Sequence, residues 1–182
     1  MRKLIVQEFV TLDGFFAGPN GEIDWHIVDE EYDEYANRFL HSVDMLLFGK
    51  VTYQMMASYW PTAHHGIADF MNSISKVVVS TSLENAEWQN TRLVKENVVE
   101  EITRLKQQSA KDMAIFGSAS LASTLLYADL IDEYQLTVAP VVLGEGKPLF
   151  RDVQDRINMK LLRTRTLQSG CIQLHYQPGA AH

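Results

Sequence analysis

The chain has 182 residues, 46% hydrophobic and 21% charged, which predicts one globular domain over 1–182 around a single good-sized core. A formal charge of -7 and a pI near 5.3 exclude a non-specific grip on nucleic acid or an anionic membrane, since either needs a dense positive field. Cys171 is the sole cysteine, which excludes an intrachain disulfide and a zinc set of Cys and His.

The apolar run after Met1-Arg2-Lys3 is broken by Gln7 and Glu8, so it makes no secretory signal, and no stretch is long and apolar enough to span a bilayer. Together these predict a cytoplasmic protein. Leu4 to Val10 predicts a strand that stops at the turn residues Asp13-Gly14, and Gly18-Pro19-Asn20-Gly21 is a second turn. From Asp29, residues Tyr32, Tyr35, Ala36, Phe39, Leu40 and Val43 recur at helical spacing. The carboxylates among residues 29–34 suit the positive end of that helix. Met45 to Phe48 predicts a strand closing on Gly49, and Lys50 to Tyr59 a helix stopped by Trp60-Pro61.

A weaker helix over His64 to Ser73 precedes Lys76 to Ser80, a β-branched run suited to a strand buried on both faces. Thr91 to Val94 predicts a strand, Val98, Ile102 and Leu105 mark a helix, Met113 to Phe116 a strand, and Leu121 to Leu130 a helix. This alternation predicts an α/β fold with a mostly parallel sheet and helices on both faces. Glu133 to Leu143 then reads as one long strand in which Pro140, lacking a donor, marks a bulge or an edge. Gly144 to Pro148 is a turn, Leu161 to Leu167 with Ile172 to Tyr176 an antiparallel hairpin, and 178–182 a frayed tail.

Three junctions stand at strand ends, where open α/β sheets place ligands. At Phe48-Gly49-Lys50-Val51-Thr52 a glycine admits close backbone approach, and the following helix offers free N–H groups, a cation and a hydroxyl to a phosphate. Asp44 stands where a P-loop needs its first glycine, so this is not that motif. At Phe116-Gly117-Ser118-Ala119-Ser120-Leu121 neither the dinucleotide fingerprint nor the nucleophile-elbow spacing is met, which leaves Ser118 and Ser120 as helix caps or phosphate contacts. Ser80-Thr81-Ser82 offers hydroxyls to an anion or to a turn. His64-His65 are surface histidines, with no third ligand one helical turn on.

Taken in order, Thr11-Leu12-Asp13-Gly14-Phe15-Phe16-Ala17, Phe48-Gly49-Lys50-Val51-Thr52-Tyr53, Gly117 to Leu121, and Asp132-Glu133-Tyr134 through Pro140 to Gly146 form one set. In that set the chain resembles the dihydrofolate-reductase-like proteins, specifically the branch similar to the C-terminal reductase domain of bacterial bifunctional riboflavin-biosynthesis enzymes. The resemblance runs from Lys3 to about Tyr176. It implies a three-layer fold whose C-terminal strands run antiparallel, with NADPH bound across the C-terminal edge of the sheet. By resemblance, Leu12, Asp13 and Gly14 form the mobile loop beside the nicotinamide. Gly49, Lys50 and Thr52 hold the adenosine phosphates, and Ser80, Thr81 and Ser82 lie near the 2′-phosphate. Gly117, Ser118, Ala119, Ser120 and Leu121 cradle the pyrophosphate and the nicotinamide side. The chain departs from the family at Ser118, where a second glycine is usual, and at Lys50, where an arginine is.

The resemblance further implies hydride transfer to a small nitrogen heterocycle, a pterin or a riboflavin-pathway pyrimidine. Asp33 matches the buried carboxylate that orients or protonates substrate, with Glu30 and Glu34 as alternatives across an uncertain insertion at Asp24 to Val28. No zinc-deaminase signature accompanies it. A non-catalytic binding protein of the same fold is the alternative. The apolar final strands and Val141-Val142-Leu143 predict a homodimer.

Overall fold

The computed structural model describes residues 1–179. Its core is an eight-stranded sheet in the order β5-β4-β3-β6-β1-β7-β10-β9. The strands are β1 (Leu4–Val10), β3 (Val43–Gly49), β4 (Ser75–Val79), β5 (Thr91–Val94), β6 (Asp112–Phe116), β7 (Glu133–Val138), β9 (Met159–Thr166) and β10 (Ile172–Pro178). All from β5 to β7 in that order run parallel, and β10 pairs antiparallel with both β7 and β9. The alternation of strand and helix up to residue 130 produces the parallel part, and the closing hairpin produces the antiparallel part.

The period of two in β1 sorts its side chains between the layers. Leu4, Val6 and Val10 pack with α4 (Val98–Lys106) and α5 (Ala119–Tyr127), where Ile102, Leu105 and Leu125 are buried. On the other face Ile5 belongs to one buried cluster with Phe39 and Leu40 of α1 (Glu30–Ser42), Tyr53 of α2 (Lys50–Tyr59) and Met71 of α3 (Ala68–Ser73). Asp29 caps α1, its carboxylate accepting from the Tyr32 N–H at 2.9 Å.

Several elements depart from expectation. The strand expected over Glu133 to Leu143 ends at Val138: Ala139 N–H still reaches Val10 at 2.8 Å, but Pro140 has no N–H and the chain turns there. A second, two-stranded ribbon joins β2 (Phe15–Ala17) to β8 (Lys147–Pro148), elements too short to leave a periodic pattern. The weaker helix begins only at Ala68, after Gly66, so His64 and His65 lie outside it, and α5 starts at Ala119 and stops at Tyr127. Pro178 closes β10 and the Gly179 N–H bonds the Asn158 carbonyl at 2.7 Å, so the expected fraying does not begin at 178; residues 180–182 of that tail lie outside the described residues.

One mismatch of strand length creates the working edge of the sheet. The last registered pair between β1 and β6 is Gln7 with Phe116, whereas β1 continues beside β7 as far as Val10 with Val138. Glu8, Phe9 and Val10 therefore run past the end of β6. They form one side of an opening at the C-terminal edge, into which the chain turns at Gly117.

Candidate functional site

A cleft of about 1350 Å³ opens at this edge, lined by the C-terminal ends of β1, β3 and β6 and the N-terminal turns of α2 and α5. That exceeds the span of roughly 300–1,000 Å³ usual for a pocket holding one small ligand, so the space suits a cofactor and a substrate together.

The two strand-to-helix junctions interlock across it. A Cβ at Gly49 would overlap the Ser118 hydroxyl, and a Cβ at Gly117 would overlap the Thr52 hydroxyl. Gly117 and Ser118 both take left-handed backbone, with φ of +60° and +59°, which turns the chain sharply from β6 into α5. Among the described residues no side chain caps the N-terminus of α2 or α5, so the first N–H groups of each are open to the cleft. Free N–H groups at two helix starts form an anion site, and Lys50 adds a full charge to it. The residues present therefore fit a dinucleotide pyrophosphate.

The expected site residues divide. Gly49, Lys50, Thr52, Gly117, Ser118, Ala119, Ser120, Leu121 and Asp33 line the cleft. Ser80, Thr81 and Ser82 do not, but Lys50 Nζ donates to the Ser82 hydroxyl at 3.0 Å, which puts that turn at the border of the site. Ser80 is buried, and its hydroxyl accepts from the Leu83 N–H at 3.0 Å, so it shapes the turn. Leu12, Asp13 and Gly14 also lie off the lining, and Leu12 is 64% exposed. Asp13 instead joins two loops: its carboxylate accepts from Thr11 Oγ1 at 2.6 Å and from the Gly144 N–H at 2.8 Å. The Thr11 hydroxyl, with the Gly144 and Leu143 N–H groups, holds its pKa below the ordinary carboxylate value.

Asp33 is exposed in the first turns of α1, so the expectation of a buried carboxylate there fails. The helix turns Tyr35, Phe39 and Leu40 toward the sheet and leaves Asp33 at the cleft mouth. Glu30 and Glu34 are exposed as well and stand outside the lining, with Glu34 3.6 Å from Arg38.

Other residues of the lining escaped the sequence reading. Phe9 stacks on His26 with ring centroids 4.3 Å apart and meets Tyr32 at 4.6 Å, making an aromatic wall. Burial pushes the His26 pKa down to about 4, so its imidazole is neutral at pH 7. His26 sits inside the segment treated as an insertion, which has no periodicity to read. Lys147 and Arg151 bring further cations to the lining, and Arg151 donates to the Ser120 hydroxyl at 3.4 Å. Glu8 lines the cleft while only 8% exposed, and its Oε2 has no hydrogen-bond partner among the described residues. Desolvation raises its pKa from 4.5 to about 8, with the Gly117 and Phe9 backbone N–H groups offsetting part of the rise. In the sequence Glu8 shows only as an acid beside Gln7 in a mostly apolar strand, which does not give its role.

The model of the RibD C-terminal domain family matches residues 2–173. YyaP, an uncharacterised protein of Bacillus subtilis, is 38% identical over 180 residues, covering 96% of this chain and 94% of its own. A solved structure from Shewanella sp. PV-4, assigned to riboflavin biosynthesis, superposes with a TM-score of 0.78 at 23% identity, covering 97% of this chain and 99% of its own. Dihydrofolate reductase from Enterococcus faecalis, solved with NADP(H), superposes at 0.65 with 15% identity, covering 97% and 96%. The two superpositions bear out the dihydrofolate-reductase-like fold. Among the described residues no helix is long and apolar enough to cross a membrane.

Proposed function

The chain belongs to the RibD C-terminal domain family, and on that premise we propose that it is an NADPH-dependent reductase of a nitrogen heterocycle. The observation that carries this is the convergence of two uncapped helix N-termini and Lys50 beside an aromatic wall, in one cleft large enough for two ligands. Bound there, NADPH supplies a hydride. The chain's own part is to hold and orient. The N–H groups of α2 and α5, with Thr52, bind pyrophosphate, Ser82 lies at the 2′-phosphate, and Lys50 meets one phosphate or the other. Phe9, His26 and Tyr32 stack the heterocycle, and Asp33 accepts from its N–H groups at the mouth.

Two substrate classes fit such a wall, a pterin such as dihydrofolate and a riboflavin-pathway pyrimidine of the 5-amino-6-(5-phosphoribosylamino)uracil type. Lys147 and Arg151, cations beyond Lys50 in a chain of charge -7, favour the phosphorylated one. We also propose that the protein is a homodimer in which a second copy covers edge strand β9, where Leu161 and Leu162 are exposed.

The test is fluorescence titration with NADPH, then loss of NADPH absorbance with dihydrofolate, dihydropterin and the phosphoribosylaminouracil. Binding followed by turnover is the expected result. Binding without turnover across the panel would establish a non-catalytic binding protein of the same fold, and no binding would overturn the proposal altogether.

A further inference from the structure

We infer that Glu8 is the general acid that delivers the proton accompanying hydride transfer; this rests on the reductase function proposed above. Glu8 stands on the part of β1 that runs past the end of β6, beside the turn at Gly117. It lines the cleft, is more than nine-tenths buried, and leaves Oε2 without a partner among the described residues. A carboxylate with one buried oxygen unpaired would be costly there, whereas a neutral acid keeps one O–H free to donate to a ligand.

The other groups of the cleft do not fill this role. Asp33 from α1 and Asp152 from the segment after β8 both lie exposed at the cleft border rather than inside it, and Asp152 is 3.0 Å from Arg151. His26, held to a pKa of about 4, is a neutral imidazole at pH 7, whose remaining N–H is a far weaker acid than a carboxylic acid. Lys50 from α2, Lys147 from β8 and Arg151 from the segment that follows β8 are cations suited to phosphate. Tyr32 accepts from the Gln7 amide at 3.1 Å, and burial pushes its hydroxyl pKa up to about 12, which makes it a poor acid near neutral pH. Helix α5, whose first turn follows Gly117, carries no ionisable side chain from Ala119 to Leu126.

The step balances as follows. The carbon of a substrate C=N bond accepts a hydride, with its electron pair, from the reduced dinucleotide, which is oxidised. The C=N π pair moves to nitrogen, the nitrogen takes the Glu8 proton, and an N–H bond forms as the O–H bond of Glu8 breaks. Glu8 is left as a carboxylate and recovers its proton from solvent through the cleft.

Two measurements test this. In the ligand-free protein, carboxyl carbon NMR of glutamate-labelled chain should show one resonance titrating near pH 8 that is missing from Glu8→Gln. Titration of Glu8 at an ordinary carboxylate pH overturns the inference whatever the substrate proves to be. In turnover, Glu8→Gln should lower kcat by about a hundredfold or more while NADPH affinity stays within about twofold. The wild-type kcat should fall as pH rises past about 8, and Glu8→Gln should lack that limb. Glu8→Asp, which keeps an acid, should recover part of the rate, guarding against a simple folding defect. If wild type binds no NADPH, the reductase function falls and the donor role with it. If wild type turns over and Glu8→Gln matches it, only the donor role falls.

Discussion

The Thr52 hydroxyl occupies the space that a Cβ on Gly117 would need, so the β3–α2 and β6–α5 junctions close on each other at that point. Gly117→Ala would meet both this overlap and the penalty of φ near +60°, and should destabilise the protein by about 1–3 kcal/mol in urea unfolding. Adding Thr52→Ala should recover the steric share and leave the backbone share. An unchanged unfolding midpoint for Gly117→Ala would show that the junctions do not interlock.

Sequence periodicity located most of the scaffold, for physical reasons visible in particular elements. β1 and β5 fall where expected, and so does α2, bounded by Gly49 and by Trp60-Pro61. Long elements with clear punctuation leave a pattern because each repeats one contact many times. Val141-Val142-Leu143 continues the apolar pattern of β7, yet one missing N–H at Pro140 ends the ladder, a tertiary consequence the pattern does not carry. The glycine and hydroxyl junctions were legible because a tight strand-to-helix turn restricts which residues fit. The roles of Glu8 and His26 were not, since both depend on where β6 stops and on an aperiodic loop packing back onto Phe9.

Among the described residues the Lys50 side chain bonds only the Ser82 hydroxyl, an exposed bond that contributes little to folding. Toward a phosphate it would make a charge-assisted hydrogen bond of about 1.5–3 kcal/mol, so Lys50→Ala should weaken NADPH binding by roughly ten- to a hundredfold with the melting temperature almost unchanged. A loss larger for NADPH than for NADH places Lys50 at the 2′-phosphate; equal losses place it at the pyrophosphate. Wild-type NADPH affinity in Lys50→Ala would show a solvated surface lysine.

Leu161 and Leu162 are 50% and 45% exposed on edge strand β9, where neighbouring residues point to opposite sides. Light scattering at micromolar concentration should give a dimer mass, and Leu162→Glu should shift it toward the monomer. A monomer for wild type would count against pairing through this edge.

Glu8 also makes stability depend on pH in a direction opposite to that of most carboxylates. Its pKa is raised in the folded chain from 4.5 to about 8, so between those values the folded state holds a proton that the unfolded state has released. Stability attributable to Glu8 is therefore complete below pH 4.5 and is lost as pH rises toward 8, beyond which the loss levels off. The full rise corresponds to at most roughly 5 kcal/mol, and water entering from the cleft to solvate the carboxylate reduces it. Glu8→Gln keeps the shape and the neutral charge, so it should match wild type near pH 5 and be the more stable of the two near pH 9. Urea unfolding of both proteins across that range measures the difference directly. Parallel pH curves would mean that Glu8 is solvated in the folded protein, and the proton donor assigned to this cleft would have to be sought elsewhere.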